Sequence, residues 1–249
     1  RNITVQAEDA IPLLGILERY NRITNNDFIV SSSYTYIFNS KSQFFERDFS
    51  QFRIKVEAAG GLLNTLASTY NVVKTDNNKN KIFGVEYAKF AKGELDFIKH
   101  FPIGKQNSLA FRSFFGIAVP YVNSDNIPFS QSYFAGGTTD NRGFKAYRLG
   151  PGASQSVFDY NEANMKLTLN LEYRFQMLGA FKGALFTDVG NIWNVADNTP
   201  IADNKFVNFS SLKDVGVSTG FGLRYDFNFF VIRLDIDRKS TRLNSSHSA

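Results

Sequence analysis

A glycine-rich segment, Tyr133–Gly152, and the residues that follow it hold the side chains best suited to a specific charged contact. The segment carries Arg142, whose planar guanidinium can bind a carboxylate through two parallel hydrogen bonds. Two acids, Glu172 and Asp188, and one ring, Phe186, lie further along the chain. Such a set would fix the position of a loop, because arginine–carboxylate pairing is directional and strong when partly desolvated. The pattern alone leaves open that Arg142 is a solvated loop charge.

The two acids lie in segments whose side chains alternate between polar and apolar. Within Asn164–Phe175 every second residue is apolar, and the polar residues between them include Glu172. A period of two over a stretch of this length predicts a β-strand with one apolar and one polar face. The same parity puts Phe186 and Asp188 on the polar face of the next strand. A loop arginine folded inward would find two carboxylates and a ring on these faces.

Residue types that catalyse reactions or bind metals are scarce. The chain has no cysteine and only two histidines, so the sequence predicts no metal site, no cofactor and no enzymatic activity. Gly216-Val-Ser218-Thr-Gly220 matches the nucleophile elbow of hydrolases, but that motif needs a strand–turn–helix and a histidine partner. Here it lies inside a predicted strand, where small residues on the polar face explain it better. No catalytic residue is predicted.

Eight segments of the chain alternate in the same way. They are Phe28–Phe38, Phe49–Ala59, Ile82–Ile98, Ser108–Tyr121, Asn164–Phe175, Ala180–Gly190, Asp214–Phe227 and Phe229–Asp237. The connections between them are alternately short and long, which is typical of outer-membrane barrels. We predict an all-β fold, a transmembrane antiparallel β-barrel with long extracellular loops. Eight strands could close a small barrel, but the long loops favour the C-terminal part of a larger one. A soluble protein of two packed sheets is the alternative.

The two ends of the chain do not share this pattern. Residues 1–27 are predicted to be a loop or the end of an earlier strand, although a short amphipathic helix is also open. Residues 28–237 are predicted to form the partial barrel, and residues 238–249 a non-native or disordered tail. The tail holds three of the cations behind the net charge of +5, so that charge does not indicate nucleic-acid binding. The chain starts at Arg1 and its first methionine is Met165, so we expect a longer protein.

The glycine-rich segment resembles a motif of the outer-membrane insertase and translocase superfamily, which includes BamA, TamA and the two-partner-secretion transporters. The matching residues are Phe134, Gly136, Gly137, Arg142, Gly143, Phe144, Leu149, Gly150 and Pro151. Phe186-Thr-Asp188-Val-Gly190 is similar to the F-x-D-x-G strand of that family, and Glu172 is a third match. Asn141 stands where the family usually has valine or isoleucine. The stretch from Gly116 to Gly137 most resembles versions from Bacteroidetes-type bacteria.

The resemblance implies a multi-pass protein of the cell outer membrane in Gram-negative bacteria. It implies a barrel of about sixteen strands. This chain would supply the C-terminal strands of that barrel except the last one. The implied function is assembly, insertion or translocation of outer-membrane or secreted client proteins. With the resemblance, we expect Arg142 to hold its loop inward against Asp188 and Glu172, so that the loop braces the wall. The implied partners are the lipid bilayer, unfolded clients and periplasmic or lipoprotein accessory subunits, but no nucleic acid. A passive outer-membrane pore and a barrel anchor for a fused upstream enzyme are the alternatives.

Overall fold

The computed structural model describes residues 16–17, 20–43, 46–63, 65, 79–154, 161–197, 202–227 and 231–240. In chain order, the strands in these ranges are β1 (Asp27–Phe28), β2 (Ser31–Asn39), β3 (Phe49–Ala59), β4 (Lys81–Ile82), β5 (Val85–Tyr87), β6 (Phe90–Ile103), β7 (Asn107–Pro120), β8 (Met165–Gln176), β9 (Phe181–Trp193), β10 (Gly216–Asp226) and β11 (Val231–Ser240). Short 3-10 helices span Phe129–Gln131, Ala202–Asn204 and Phe209–Asp214.

The eight longer strands form one antiparallel sheet in the order β11-β10-β9-β8-β7-β6-β3-β2. Strands β1, β5 and β4 form a separate small sheet. The edges of the large sheet are β2 and β11, and within the described ranges no pairing joins them. The predicted antiparallel β fold is confirmed. Closure of the sheet into a barrel stays a prediction.

The strand register brings the predicted polar-face residues side by side. Asp188 on β9 lies opposite Asn170 on β8 and Ser218 on β10. One step further along, Phe186 lies opposite Glu172 and Gly220. Since successive residues of a strand point to opposite faces, these two rows of residues share the polar face.

The prediction of a single strand over Ile82–Ile98 is wrong in its bounds. The backbone turns at Phe83 and Gly84, both with positive φ, so that β4 and β5 form a hairpin instead of one strand. The long strand β6 begins at Phe90 and continues past His100, through the residues that were expected to turn, to Ile103. Its turn lies at Gly104, where φ is +64°. Polar and apolar side chains continue to alternate across the turn at Phe83 and Gly84, so the sequence pattern did not reveal that turn.

Two further bounds differ near the chain ends. Residues 20–24 are helical, in line with the short helix left open beside a loop or strand for residues 1–27, and Thr24 Oγ1 donates a hydrogen bond to the carbonyl oxygen of Tyr20. Residues 1–15 lie outside the described part of the chain. Strand β11 continues beyond the predicted end at Asp237, because its ladder with β10 runs as far as Ser240 opposite Val217. Residues 241–249 also lie outside the described ranges.

The apolar face of the sheet is exposed, and the main hydrophobic core lies on the polar side. On the apolar face Leu171, Leu185 and Leu234 are 45%, 53% and 65% exposed. The connection between β7 and β8, described over residues 121–154 and 161–164 and here called the inner loop, covers the other face and buries Tyr133 and Phe144 in the core. A soluble sheet would bury its apolar face, so this distribution suits a sheet that meets lipid. Among the described helical residues, no helix is long and apolar enough to cross a membrane.

Candidate functional site

Arg142 of the inner loop binds both predicted carboxylates. Its Nε and Nη2 atoms donate hydrogen bonds to the two oxygens of Asp188, each at 2.7 Å. Its Nη1 atom donates to Glu172 Oε2 at 2.6 Å. The backbone nitrogen of Arg142 also donates to Asp188 Oδ2, at 3.1 Å. The structure therefore brings the three residues together in a bidentate pair extended by a second carboxylate.

The guanidinium of Arg142 also packs on the aromatic ring of Phe186, on β9. The Cζ atom is 3.5 Å from the centroid of the Phe186 ring. A Cβ atom at Gly220, directly opposite on β10, would overlap that ring, so glycine is needed there for Phe186 to lie flat. The cation–π contact adds to the ion pair because the ring excludes water. Arg142, Asp188, Glu172 and Phe186 are called the arginine site below.

The arginine site is buried, and its charges are matched by hydrogen bonds. The side chains of Arg142 and Asp188 are 8% and 0% exposed. Burial would lower the pKa of Arg142, but hydrogen bonds and the negative charges of Asp188 and Glu172 raise it above its ordinary value. Asn170 supplies a further donor to Asp188 Oδ1, at 2.8 Å. Removing one partner of a buried ion pair leaves the other charge uncompensated, which is costly. Arg142 and its two carboxylates therefore hold one another in position.

Residue Asn141, which departs from the family pattern, has partners that sequence reasoning missed. It is fully buried, and its Nδ2 atom donates to the carbonyl oxygen of Gly216 at 2.9 Å. Its Oδ1 atom accepts a hydrogen bond of 2.7 Å from Ser218 Oγ, which in turn accepts one of 3.2 Å from the Gly143 nitrogen. Ser218 is thus a structural contact of the loop. In the sequence, the G-x-S-x-G match was the feature that singled out Ser218. That motif concerns catalysis, whereas the contact seen here is between the strand and the loop.

Residues 19–240 match the Omp85 superfamily domain. This chain belongs to the Omp85 superfamily. It is 32% identical over 105 residues to the outer membrane protein assembly factor BamA of Neisseria meningitidis serogroup B, a match covering 38% of this chain and 13% of that protein.

The fold of this Omp85 domain resembles a solved barrel. The crystal structure of BamA from Haemophilus ducreyi lacking POTRA domains 1-3 superposes with a TM-score of 0.59 and 16% identity. The match covers 97% of this chain and 46% of that chain, so the chain spans about half the length of the solved relative. Superfamily membership places the domain in the bacterial outer membrane, and it is not an enzyme.

The remaining motif residues of the Omp85 domain shape the inner loop. Phe144 is buried against Gly216, where a Cβ atom would come within 2.9 Å of the ring. Phe134 is 38% exposed and stacks on Tyr147 with 4.1 Å between ring centroids. These rings therefore pack the loop against the sheet and against itself, beside the arginine site.

The end of the motif returns the chain to the sheet. Gly150 has a φ of +77° and lies so close to Asn191 that a Cβ atom would overlap the amide oxygen. The peptide bond between Gly150 and Pro151 is cis. Asn191 Nδ2 then donates to the carbonyl oxygen of Gly152 at 3.0 Å, which ties the loop to β9.

A second set of contacts, also missed from sequence, holds the loop to β6 and β7. The hydroxyl of Tyr133 donates to Glu94 Oε1 at 3.2 Å, and burial beside this carboxylate raises the pKa of Tyr133. Arg112 binds both oxygens of Asp96 at 3.0 Å and donates from Nη1 to the carbonyl oxygen of Thr139 at 3.2 Å. The inner loop is therefore attached to the polar face at two places, to β8 and β9 through the arginine site and to β6 and β7 through these contacts.

Two neighbouring glycines of the motif offer a matched test of how tightly the loop is built. Gly136 and Gly137 have φ values of +96° and +108°, so alanine is strained at both. A Cβ atom at Gly136 would overlap the carbonyl oxygen of Lys145, whereas at Gly137 it would meet only the Ala146 Cβ, at 3.7 Å. We expect Gly136→Ala to destabilise the docked loop by more than about 1 kcal/mol relative to Gly137→Ala.

The measurement is limited proteolysis of the inner loop in detergent-solubilised protein. Gly136→Ala should be cleaved faster than Gly137→Ala, which shares the backbone strain and therefore serves as the control. Equal cleavage rates for the two variants would show that the close approach to Lys145 does not matter.

Proposed function

We propose that this domain is part of an outer-membrane assembly or translocation barrel in which the inner loop braces the polar wall while client proteins insert or cross. The observation that carries the proposal is the contact of Arg142 with Asp188 and Glu172. It connects a long loop to the two neighbouring strands β8 and β9 through the strongest type of hydrogen bond that proteins form. A brace needs such a connection because it must resist separation of the parts that it joins.

The energetics support a loop that stays docked. Asp188 has no exposed surface in the docked arrangement. Removing one partner from a buried pair destabilises by about 3–5 kcal/mol. Thermal fluctuations would therefore undock the loop only rarely, and the strands beneath it would keep their relative positions.

The location of the arginine site also suits a brace. Its residues lie on interior strands, whereas β2 and β11 are the edges of the sheet. If the barrel admits a client at a seam between edge strands, the interior wall has to remain intact while the seam opens. A loop fixed to β8 and β9, with a second attachment on β6 and β7, would hold that wall. Its contact with the edge strand β11 is the longer ion pair of Arg142 with Asp235, at 3.8 Å.

The named relatives support the choice of assembly over other roles. The Neisseria protein is called an outer membrane protein assembly factor. By this analogy the partners would be the outer-membrane bilayer, unfolded outer-membrane or secreted clients, and periplasmic or lipoprotein accessory subunits. These partners belong to the proposal for the whole protein, since this chain covers only part of each relative.

The test is client insertion by the full-length protein in liposomes, with Arg142 replaced by alanine. We expect the rate at which a client becomes protease-protected to fall by about tenfold or more, because tenfold corresponds to only about 1.4 kcal/mol and a broken buried pair costs more. Circular dichroism should show that the β content is retained. Arg142→Lys should recover only part of the activity, since lysine keeps the charge but lacks the planar fork.

Arg148→Ala is the matched control, because it removes an exposed arginine from the same loop. Unchanged client insertion in Arg142→Ala, with the loop still docked, would reject the bracing role. A wide and stable single-channel conductance without any effect on clients would favour a passive pore.

A further inference from the structure

The arginine site has a third carboxylate, which comes from β11 at the edge of the large sheet. The Nη1 atom of Arg142 lies 3.8 Å from Oδ2 of Asp235. The side chain of Asp235 is 16% exposed, so water screens this ion pair only in part. Together with Glu172 and Asp188, Asp235 makes Arg142 a single loop side chain that meets carboxylates from β8, β9 and β11.

Asp235 extends over β10, where small residues leave room for its carboxylate. In the register, Asp235 lies opposite Gly222 of β10, and Gly222 lies opposite Ala184 of β9. A Cβ atom at Gly222 would come within 2.5 Å of Asp235 Oδ1, so the carboxylate occupies the space that a side chain would fill. The φ angle of Gly222 is not in the left-handed region. Glycine is therefore needed at this position for the close approach of Asp235 and not for the backbone.

The contact between Arg142 and Asp235 belongs to a longer series of ion pairs on the polar face. Asp235 Oδ2 accepts a hydrogen bond of 2.7 Å from Arg233 Nε, and Glu172 Oε1 accepts one of 2.6 Å from Arg174 Nε. From β8 to β11 the charges alternate in the order Arg174, Glu172, Arg142, Asp235 and Arg233. A network of several charges holds its members more firmly than an isolated surface pair does. Arg142 joins the ion pair on β8 to the ion pair on β11.

We propose that Asp235 is a further positioning residue of the arginine site, through which the position of β11 is coupled to docking of the inner loop. Moving β11 away from β10 would carry the carboxylate away from Arg142, and the docked loop would lose part of its electrostatic stabilisation. Because such coupling is reciprocal, undocking of the loop would in turn loosen β11. The coupling goes beyond the bracing role, since it concerns the loop and the strand without any client.

The experiment measures hydrogen exchange of inner-loop amides by mass spectrometry, in the full-length protein in detergent. The Arg142 amide donates to Asp188 in the docked loop, so its exchange rate reports how often the loop opens. Asp235→Asn removes the charge and keeps the volume. We expect it to raise exchange about fivefold, which corresponds to about 1 kcal/mol, the upper value for a partly exposed ion pair. Asp235→Glu keeps the charge and should restore most of the protection. The control is Asp237→Asn, on the same face of β11, which should exchange like the unmodified protein.

Three further variants separate the contact with Arg142 from other effects of changing Asp235. Gly222→Ala keeps every charge and puts a methyl group where the Asp235 carboxylate lies, so it should raise loop exchange as Asp235→Asn does. Gly93→Ala is its matched control, because a Cβ atom at this strand position would meet nothing within 4 Å. Arg233→Gln removes the other partner of Asp235 and should leave the loop protected.

The reciprocal effect is measured on the β11 amides of the same proteins. Gly136→Ala, which acts within the loop, should raise β11 exchange, and this rise should be smaller when Asp235→Asn is also present. Loop exchange that is unchanged in both Asp235→Asn and Gly222→Ala would overturn the proposal. An equal rise in Asp237→Asn would also overturn it, because the effect would then follow from the charge of β11 in general. No client enters these measurements, so their failure would leave the bracing role intact.

Discussion

Replacing Asp188 by alanine is expected to destabilise the full-length barrel by about 3–5 kcal/mol, the usual cost of breaking a buried ion pair. The reason lies in the number of groups that this carboxylate satisfies. It accepts both branches of the Arg142 fork, the Arg142 backbone nitrogen and the Asn170 amide. Without it the guanidinium would stay over Phe186 with Glu172 and the more distant Asp235 (3.8 Å) as its carboxylate partners, or the loop would leave the sheet and expose its buried rings.

The measurements are denaturant unfolding in detergent micelles and the rate of protease cleavage within the inner loop. The matched control is Asp237→Ala, which removes a carboxylate from the polar face of β11, where the side chain is exposed. Asp188→Asn should lie between the two, because it keeps the volume and one acceptor oxygen while the charge is lost. If Asp188→Ala proves no less stable than Asp237→Ala, the arginine site contributes nothing to loop docking.

The partners of Arg142 could be predicted from sequence because strand periodicity assigns every residue to a face. Once Glu172 and Asp188 were placed on the same face of adjacent strands, a loop arginine had two carboxylates within reach. The ladder between β8 and β9 has the register that this inference needed, with Glu172 opposite Phe186 and Asn170 opposite Asp188. Parity and opposite charge placed the acids on one face, and the resemblance of the glycine-rich segment was needed to expect that the loop folds inward onto them.

The contacts of Asn141 and Tyr133 could not be predicted in the same way. Each depends on the path of the inner loop, and a loop path follows no period. Asn141 and Ser218 are 77 residues apart, and neither carries a charge that would single out the other. The break within Ile82–Ile98 was missed for a related reason, since a turn at Phe83 and Gly84 leaves the alternation of side chains intact.

The second large effect on stability is expected from replacing Asn141 by valine, a residue usual at this position of the superfamily motif. Asn141→Val would remove the acceptor of the Ser218 hydroxyl and the amide donor to the Gly216 carbonyl. Leaving a buried polar group without its partner costs about 1–3 kcal/mol for each group. The apolar replacement is therefore expected to destabilise this protein.

The Ser218 pairing predicts a specific coupling between two substitutions. Ser218→Ala alone leaves Asn141 Oδ1 and the Gly143 nitrogen without their partner. The Asn141→Val/Ser218→Ala double variant should lose less free energy of unfolding than the sum of the two single variants. The difference should be about 0.5–3 kcal/mol, because the hydrogen bond between the two side chains is lost only once. Denaturant unfolding of all four proteins gives this value, and Thr219→Ala, at an exposed position on the opposite face, controls for loss of a hydroxyl from β10. Strict additivity would mean that the two side chains act independently. The buried amide would then have to be explained by its bond to Gly216 alone.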